Sequence, residues 1–94
     1  MDEREAFIEK LEAAHTFPCA YTFKLIGDAE TQLRARALAL IEASVEGADP
    51  SASVRESAKG NHVAVTIVAH MPDAETVARL YREFHELDGL AMLL

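Results

Sequence analysis

The sequence has one cysteine, no tryptophan and few positive charges. Cys19 alone cannot form an internal disulfide, and no CxxC pair is present to hold a metal ion or to run a redox cycle. Lysine and arginine together number 9 against 16 acidic residues, which leaves a net charge of −7. Proteins that follow nucleic acid through its phosphates need clustered cations, and anionic membranes repel an acidic chain. We therefore expect neither nucleic acid nor a membrane as a partner.

Long apolar segments are also missing. None approaches the ~20 residues that a membrane-spanning helix needs. The first ten residues, MDEREAFIEK, are acidic where a signal peptide would be basic and then apolar. The sequence therefore predicts a cytoplasmic protein. With 94 residues, of which 50% are hydrophobic, the chain has enough apolar material for one domain with one core.

Apolar periodicity divides this domain into an N-terminal helix, residues 1–16, and a core, residues 17–94. Phe7, Ile8, Leu11 and Ala14 recur along one helical stripe. Alternating residues over 19–26 predict a strand that Gly27 closes. Further strands are predicted over 52–59, 62–70 and 90–94, with a two-residue hairpin turn at 60–61.

The tetrapeptide DAET occurs twice, at 28–31 and at 73–76, each time shortly after the end of a strand. An aspartate before a helix accepts a hydrogen bond from a free backbone amide, and the glutamate favours the positive end of the helix dipole. Both copies are therefore predicted to open a crossover helix. The resulting β-α-β-β-α-β order folds into one antiparallel sheet of order 4-1-3-2 with both helices on one face. This is the ferredoxin-like α+β sandwich, here with an added N-terminal helix.

Three stretches resemble the YbeD-like family of small bacterial proteins of unknown function: FPCAYTFKLIG (17–27), SVRESAKGNHVAVTI (53–67) and ETVARLYREFHELDGLAMLL (75–94). The resemblance covers most of the chain from Phe17 onward. It implies a ferredoxin-like fold similar to the ACT regulatory domains, which bind amino acids in metabolic enzymes. The family often has a proline where this chain has Glu56 and an aromatic residue where it has His62. The resemblance supplies no catalytic residues.

The residue types that carry chemistry do not converge in the sequence. His62 and His70 share a sheet face, but eight residues of strand separate them by ~26 Å. Zinc sites usually need three or four converging ligands, so we expect no metal site and no cofactor. In the alternation of the first predicted strand, Cys19 falls on the same side as the core-facing residues, and a thiol buried there is an inert small hydrophobic group. No nucleophile stands beside a base, and we predict that the protein is not an enzyme.

Two features remain as candidate sites. The open sheet face is small and mildly apolar, with Lys24 as its one fixed charge, and it is either a partner surface or plain surface. Its candidate residues are Thr22, Lys24, Thr66 and Val68. The loop at Gly27 and Asp28 matches the place where ACT-type domains bind small ligands, although Asp28 as a helix cap would occupy one of the free amides.

The sequence predicts a non-enzymatic regulatory module that binds a small metabolite near Gly27 and Asp28, or a protein through the sheet face. A protein-binding adaptor without any ligand is the alternative, and a small enzyme with an unrecognised site is a weaker one. A monomer or a weak homodimer fits either function.

Overall fold

The computed structural model describes all 94 residues and contains three α-helices and four strands. Their order after the first helix is β-α-β-β-α-β, as predicted. A single 3₁₀ turn, Ala29–Thr31, lies between the first strand and the second helix. The elements are α1 (Glu3–Ala14), β1 (Cys19–Asp28), α2 (Leu33–Ser44), β2 (Ser51–Glu56), β3 (His62–Met71), α3 (Ala74–Phe84) and β4 (Leu90–Leu93).

The four strands form one antiparallel sheet in the order β2-β3-β1-β4. The predicted order 4-1-3-2 is confirmed. β1 and β3 are the central strands and pair along their whole length, from Cys19 opposite Met71 to Asp28 opposite His62. β2 and the short β4 form the two edges, so the best-paired strands carry the core.

A single apolar core lies between one sheet face and the two crossover helices. Phe23, Leu25, Val65 and Ile67 are fully buried on that face, and they belong to one cluster with buried residues of α2 and α3. Each such side chain contributes roughly 1.5–3 kcal/mol through burial alone. α1 packs against α3 and adds Leu11 to the same core. The other sheet face is left without a covering layer.

The two DAET copies do different things. Asp73 opens α3 as predicted, because its Oδ1 accepts a hydrogen bond from the Thr76 amide at 2.8 Å. Asp28 caps only the 3₁₀ turn, through the Glu30 amide at 2.9 Å, and α2 begins after Gln32, which has a φ of 55°. The prediction that the first copy opens α2 is therefore wrong.

Two backbone carbonyls that directly precede the neighbouring strands β4 and β3 explain this difference. The Asp28 amide donates to the Gly89 carbonyl at 2.9 Å, and the Ala29 amide donates to the Asn61 carbonyl at 3.1 Å. The sheet thus holds the backbone at the position where a continuous helix would begin. The chain needs Gln32 in the left-handed region to turn into α2.

The hairpin between β2 and β3 is longer than predicted. Glu56, rather than residue 58, lies opposite Val63, so the loop covers residues 57–61. Ser57 closes it: its amide donates to the His62 carbonyl at 2.9 Å, and its Oγ accepts from the His62 amide at 3.2 Å. The shift is an even number of residues, so Val54 stays on the sheet face that carries the core, but at this edge strand 46% of its surface is exposed.

Candidate functional site

The uncovered sheet face brings the four predicted partner residues into two adjacent pairs. Thr22 lies opposite Val68, and Lys24 lies opposite Thr66, all on the two central strands. Val68 keeps 40% of its surface exposed, and Thr22 and Lys24 are also exposed. The face is therefore rigid at its centre, because both strands that carry it are paired on each side.

Two residues of this face were missed by the sequence analysis. Arg55 on β2 pairs with Ala64, and Met92 on β4 pairs with Ile26, so both share the face with Lys24. The statement that Lys24 is the one fixed charge of the face is wrong, since Arg55 is a second. The alternation of β2 carried this signal, because residues 51, 53 and 55 alternate with Ala52 and Val54, which lie opposite the core residues Ile67 and Val65.

The charge of the open face is opposite to that of the chain. Its positions on the four strands include no acidic residue until Asp28, which lies at one end opposite His62. Neither Lys24 nor Arg55 forms a salt bridge, as the two ion pairs of the molecule are Arg36–Asp88 and Arg79–Glu83. We call this surface the cationic sheet face; its members are Ser51, Ser53 and Arg55 of β2, Ala64, Thr66, Val68 and His70 of β3, Ala20, Thr22, Lys24 and Ile26 of β1, and Met92 of β4.

The second candidate site, at Gly27 and Asp28, is tightly bonded within the protein. Gly27 is buried, and a Cβ placed on it would lie 2.4 Å from the Gly89 carbonyl oxygen. The amides of Asp28, Ala29 and Glu30 all donate within the chain. Backbone donors that would suit an anion are therefore already in use at this loop.

A polar cleft of about 310 Å³ lies beside that loop. Asp28 and Glu30 form one side of it, and Gly60, Asn61 and His62 form the other. The two carboxylates favour a neutral or cationic occupant over an anionic one. A metabolite at this loop stays a prediction, now restricted in charge.

The remaining chemistry-bearing residues are dispersed. No three histidine, cysteine, aspartate or glutamate side chains lie close enough together to hold a metal ion. Cys19 is a free, half-buried thiol. His15 ends α1 and packs its ring 5.1 Å from that of Tyr21. None of the three helices is long and apolar enough to cross a bilayer.

Two side chains have shifted pKa values, both with structural causes. Hydrogen bonds from the Thr76 hydroxyl and amide hold the pKa of Asp73 below its usual range. Burial raises the pKa of Tyr81, and its hydrogen bond with Tyr21, with oxygens 3.0 Å apart, raises it further. Asp73 caps α3, and Tyr81 lies between α1 and β4, so neither belongs to the cationic sheet face.

Four antiparallel strands with two crossover helices over one face define a small two-layer α+β domain. A family model described as a protein of unknown function, DUF493, matches residues 12–94. The chain belongs to this family of small bacterial proteins, which confirms the YbeD-like resemblance.

Curated relatives carry the family name UPF0250. One from Vibrio cholerae is 39% identical over 85 residues, covering 90% of this chain and 91% of its own length. One from Shewanella oneidensis is 33% identical over 85 residues, covering 90% of this chain and 96% of its own. The solution structure of protein HP0495 from H. pylori is similar with a TM-score of 0.67 over 85% of both chains, at 11% identity. That likeness bears on the fold alone.

Proposed function

We propose that this chain is a non-enzymatic, ferredoxin-like regulatory module of the bacterial cytoplasm that binds a protein partner through its cationic sheet face. The partner surface is acidic at the centre and partly apolar. The main observation behind this proposal is that Lys24 and Arg55 share a face with Val68 and Met92, while the chain as a whole is acidic.

Three physical points support this proposal. The face is held by the two longest strands, so a partner meets a preformed surface. Val68 and Met92 are 40% and 51% exposed, which gives a partner apolar area to cover. Unpaired cations among them favour a partner that brings carboxylates, and such complementarity speeds association and rejects wrong partners.

The same charges argue for a different protein rather than a second copy of this chain. If two copies paired through their cationic sheet faces, the lysine and arginine of one copy would lie against the lysine and arginine of the other. Like charges held together at an interface cost free energy and suppress the pairing. We therefore expect a monomer, with at most a weak homodimer, by light scattering across the micromolar range.

A charge-reversal experiment tests the proposal. Tagged wild-type protein and the Lys24→Glu/Arg55→Glu variant are used to capture partners from native extract, with quantification by mass spectrometry. The matched control is Lys10→Glu/Lys59→Glu, which reverses two exposed cations outside the cationic sheet face. We expect the captured partner to fall at least tenfold with the first variant and to be unchanged with the control. Equal capture by all three proteins would refute the role of this face.

The second candidate function is binding of a neutral or cationic metabolite in the cleft beside Gly27 and Asp28. The volume of this cleft, about 310 Å³, is the observation that favours it. A ligand present at 100 times its dissociation constant stabilises a fold by ~2.7 kcal/mol. A thermal-shift screen of amino acids and central metabolites would detect such a ligand. Binding that is abolished by Glu30→Gln but unaffected by Lys24→Glu would assign it to this cleft.

A further inference from the structure

The largest cleft of the molecule lies away from both predicted sites, between α1, α3 and the end of β4. Its volume is about 620 Å³. α3 and its C-cap residue contribute one helical face, which follows the i, i+3, i+4, i+7 spacing with Ala78, Tyr81, Arg82 and His85. α1 contributes its first turn and Phe7. We call this cleft the α1–α3 groove.

The floor of the α1–α3 groove is apolar and fixed in place. Phe7 and Tyr81 pack edge to face with ring centroids 5.2 Å apart. The Tyr81 hydroxyl donates to the main-chain oxygen of Leu94 at 3.2 Å and is hydrogen-bonded to the Tyr21 hydroxyl, with the two oxygens 3.0 Å apart. Because its one polar group is satisfied within the protein, the floor offers an occupant mainly hydrocarbon and ring surface, together with Leu93 and Leu94.

The rim of the groove carries cations without partners. Arg4 on α1 and Arg82 on α3 both line it, and neither takes part in the two salt bridges of the molecule. His85 lies on the same side, and Glu3 is the one acidic residue of the lining. In a chain of net charge −7, two unpaired guanidinium groups beside an apolar floor favour an anionic head on an apolar body.

We propose that the α1–α3 groove binds a small apolar carboxylate, with the hydrocarbon body on Phe7 and Tyr81 and the carboxylate between Arg4 and Arg82. A guanidinium group matches a carboxylate through two parallel hydrogen bonds, which a neutral amide or an amine does not reproduce. The volume falls within the ~300–1,000 Å³ of small-molecule sites. This site is independent of the cationic sheet face, which lies on the opposite surface of the sheet.

The test titrates two soluble probes, 4-phenylbutyrate and hexanoate, into the full chain and follows ¹H–¹⁵N spectra. Matched probes without the negative charge are 4-phenylbutyramide and 4-phenylbutylamine. We expect at least one carboxylate to cause saturable shifts centred on Phe7, Tyr81, Arg82 and His85. We expect the amide and the amine to bind at least tenfold more weakly than 4-phenylbutyrate.

Variants then separate the groove from the rest of the surface. Arg82→Gln and Arg4→Gln change exposed side chains that pack little, so both are expected to fold, and each should weaken carboxylate binding about tenfold, in line with the strength of a charge-assisted hydrogen bond. Arg34→Gln on α2 removes an exposed arginine outside the groove and should leave binding unchanged. Three results would overturn the proposal: no saturable shift up to 10 mM of either carboxylate, equal binding of 4-phenylbutyrate and its amide, or an equal effect of Arg34→Gln and Arg82→Gln.

Discussion

Replacing the aspartate of each DAET copy by alanine should have unequal effects on stability, although the two sequences are identical. Asp73 accepts two hydrogen bonds from Thr76, one from its amide at 2.8 Å and one from its hydroxyl at 2.6 Å. The Asp28 side chain accepts one, from the exposed Glu30 amide, and caps a turn of three residues. Asp73→Ala therefore removes the cap of an 11-residue helix, whereas Asp28→Ala removes that of a single turn.

The structure sets the expected magnitudes. Loss of an N-cap costs about 1 kcal/mol, and the Thr76 hydroxyl, in a side chain that is 8% exposed, loses its acceptor for roughly 1 kcal/mol more. Asp73→Ala should thus lower the free energy of unfolding by about 2 kcal/mol. Asp28→Ala should lower it by about 0.5 kcal/mol, at the low end for caps. A difference of about 1.5 kcal/mol corresponds to roughly 6–12 °C in Tm for a domain of this size.

Urea and thermal denaturation followed by circular dichroism at pH 7 measure both variants. Asp73→Asn is the matched control, because the amide oxygen still accepts from Thr76, and it should lose less than half as much stability as Asp73→Ala. The lowered pKa of Asp73 also fixes a pH window: its contribution is present above the unfolded value of 3.8 and is lost as pH falls through the lower folded value. Equal losses for Asp28→Ala and Asp73→Ala would refute the distinction drawn between the two copies.

Two further predictions concern Gly27 in β1 and Tyr81 in α3. Gly27→Ala should lower the free energy of unfolding by at least about 2 kcal/mol, because the new Cβ would lie 2.4 Å from the Gly89 carbonyl oxygen. Urea denaturation measures this loss, and unchanged stability would contradict the close approach. Tyr81→Phe should cost about 1–2 kcal/mol at pH 7, since the buried Tyr21 hydroxyl loses its partner. Because the pKa of Tyr81 is raised in the fold, the stability of the wild-type protein should decline as pH rises above the unfolded value of 10.0. Thermal melts from pH 8 to 11 should show a smaller decline for Tyr81→Phe. An identical slope of stability against pH in both proteins would argue against this role of Tyr81.

The sheet order was predictable from the β-α-β-β-α-β succession, and the two sheet faces were predictable because strand alternation reports burial directly. Phe23 and Leu25 alternate with Thr22 and Lys24; the first pair is buried in the structure and the second pair is exposed. The length of the hairpin loop was not predictable. Gly60 and Asn61 suit a two-residue turn, whereas the two hydrogen bonds between Ser57 and His62 that close the longer loop form only in the folded chain.

The helix starts and the α1–α3 groove depended on contacts between distant residues. Whether Asp28 opens a helix is decided by Gly89 and Asn61, which lie far along the chain. Phe7 was correctly placed on the apolar stripe of α1, but the sequence does not state that α1 packs against α3 rather than against the sheet. The groove whose floor is formed by Phe7 and Tyr81 therefore results from tertiary packing rather than from helix propensity.

The two proposed surfaces differ in how far they extend across the family. The family match begins at residue 12, so every strand and the whole cationic sheet face fall inside it. The α1–α3 groove takes Arg4 and Phe7 from the segment before that match. A protein-binding role of the sheet face is therefore one that relatives with the same fold can share. Carboxylate binding requires a first helix that brings an aromatic ring and a cation to α3, so it is expected only in relatives whose N-terminal segment supplies both.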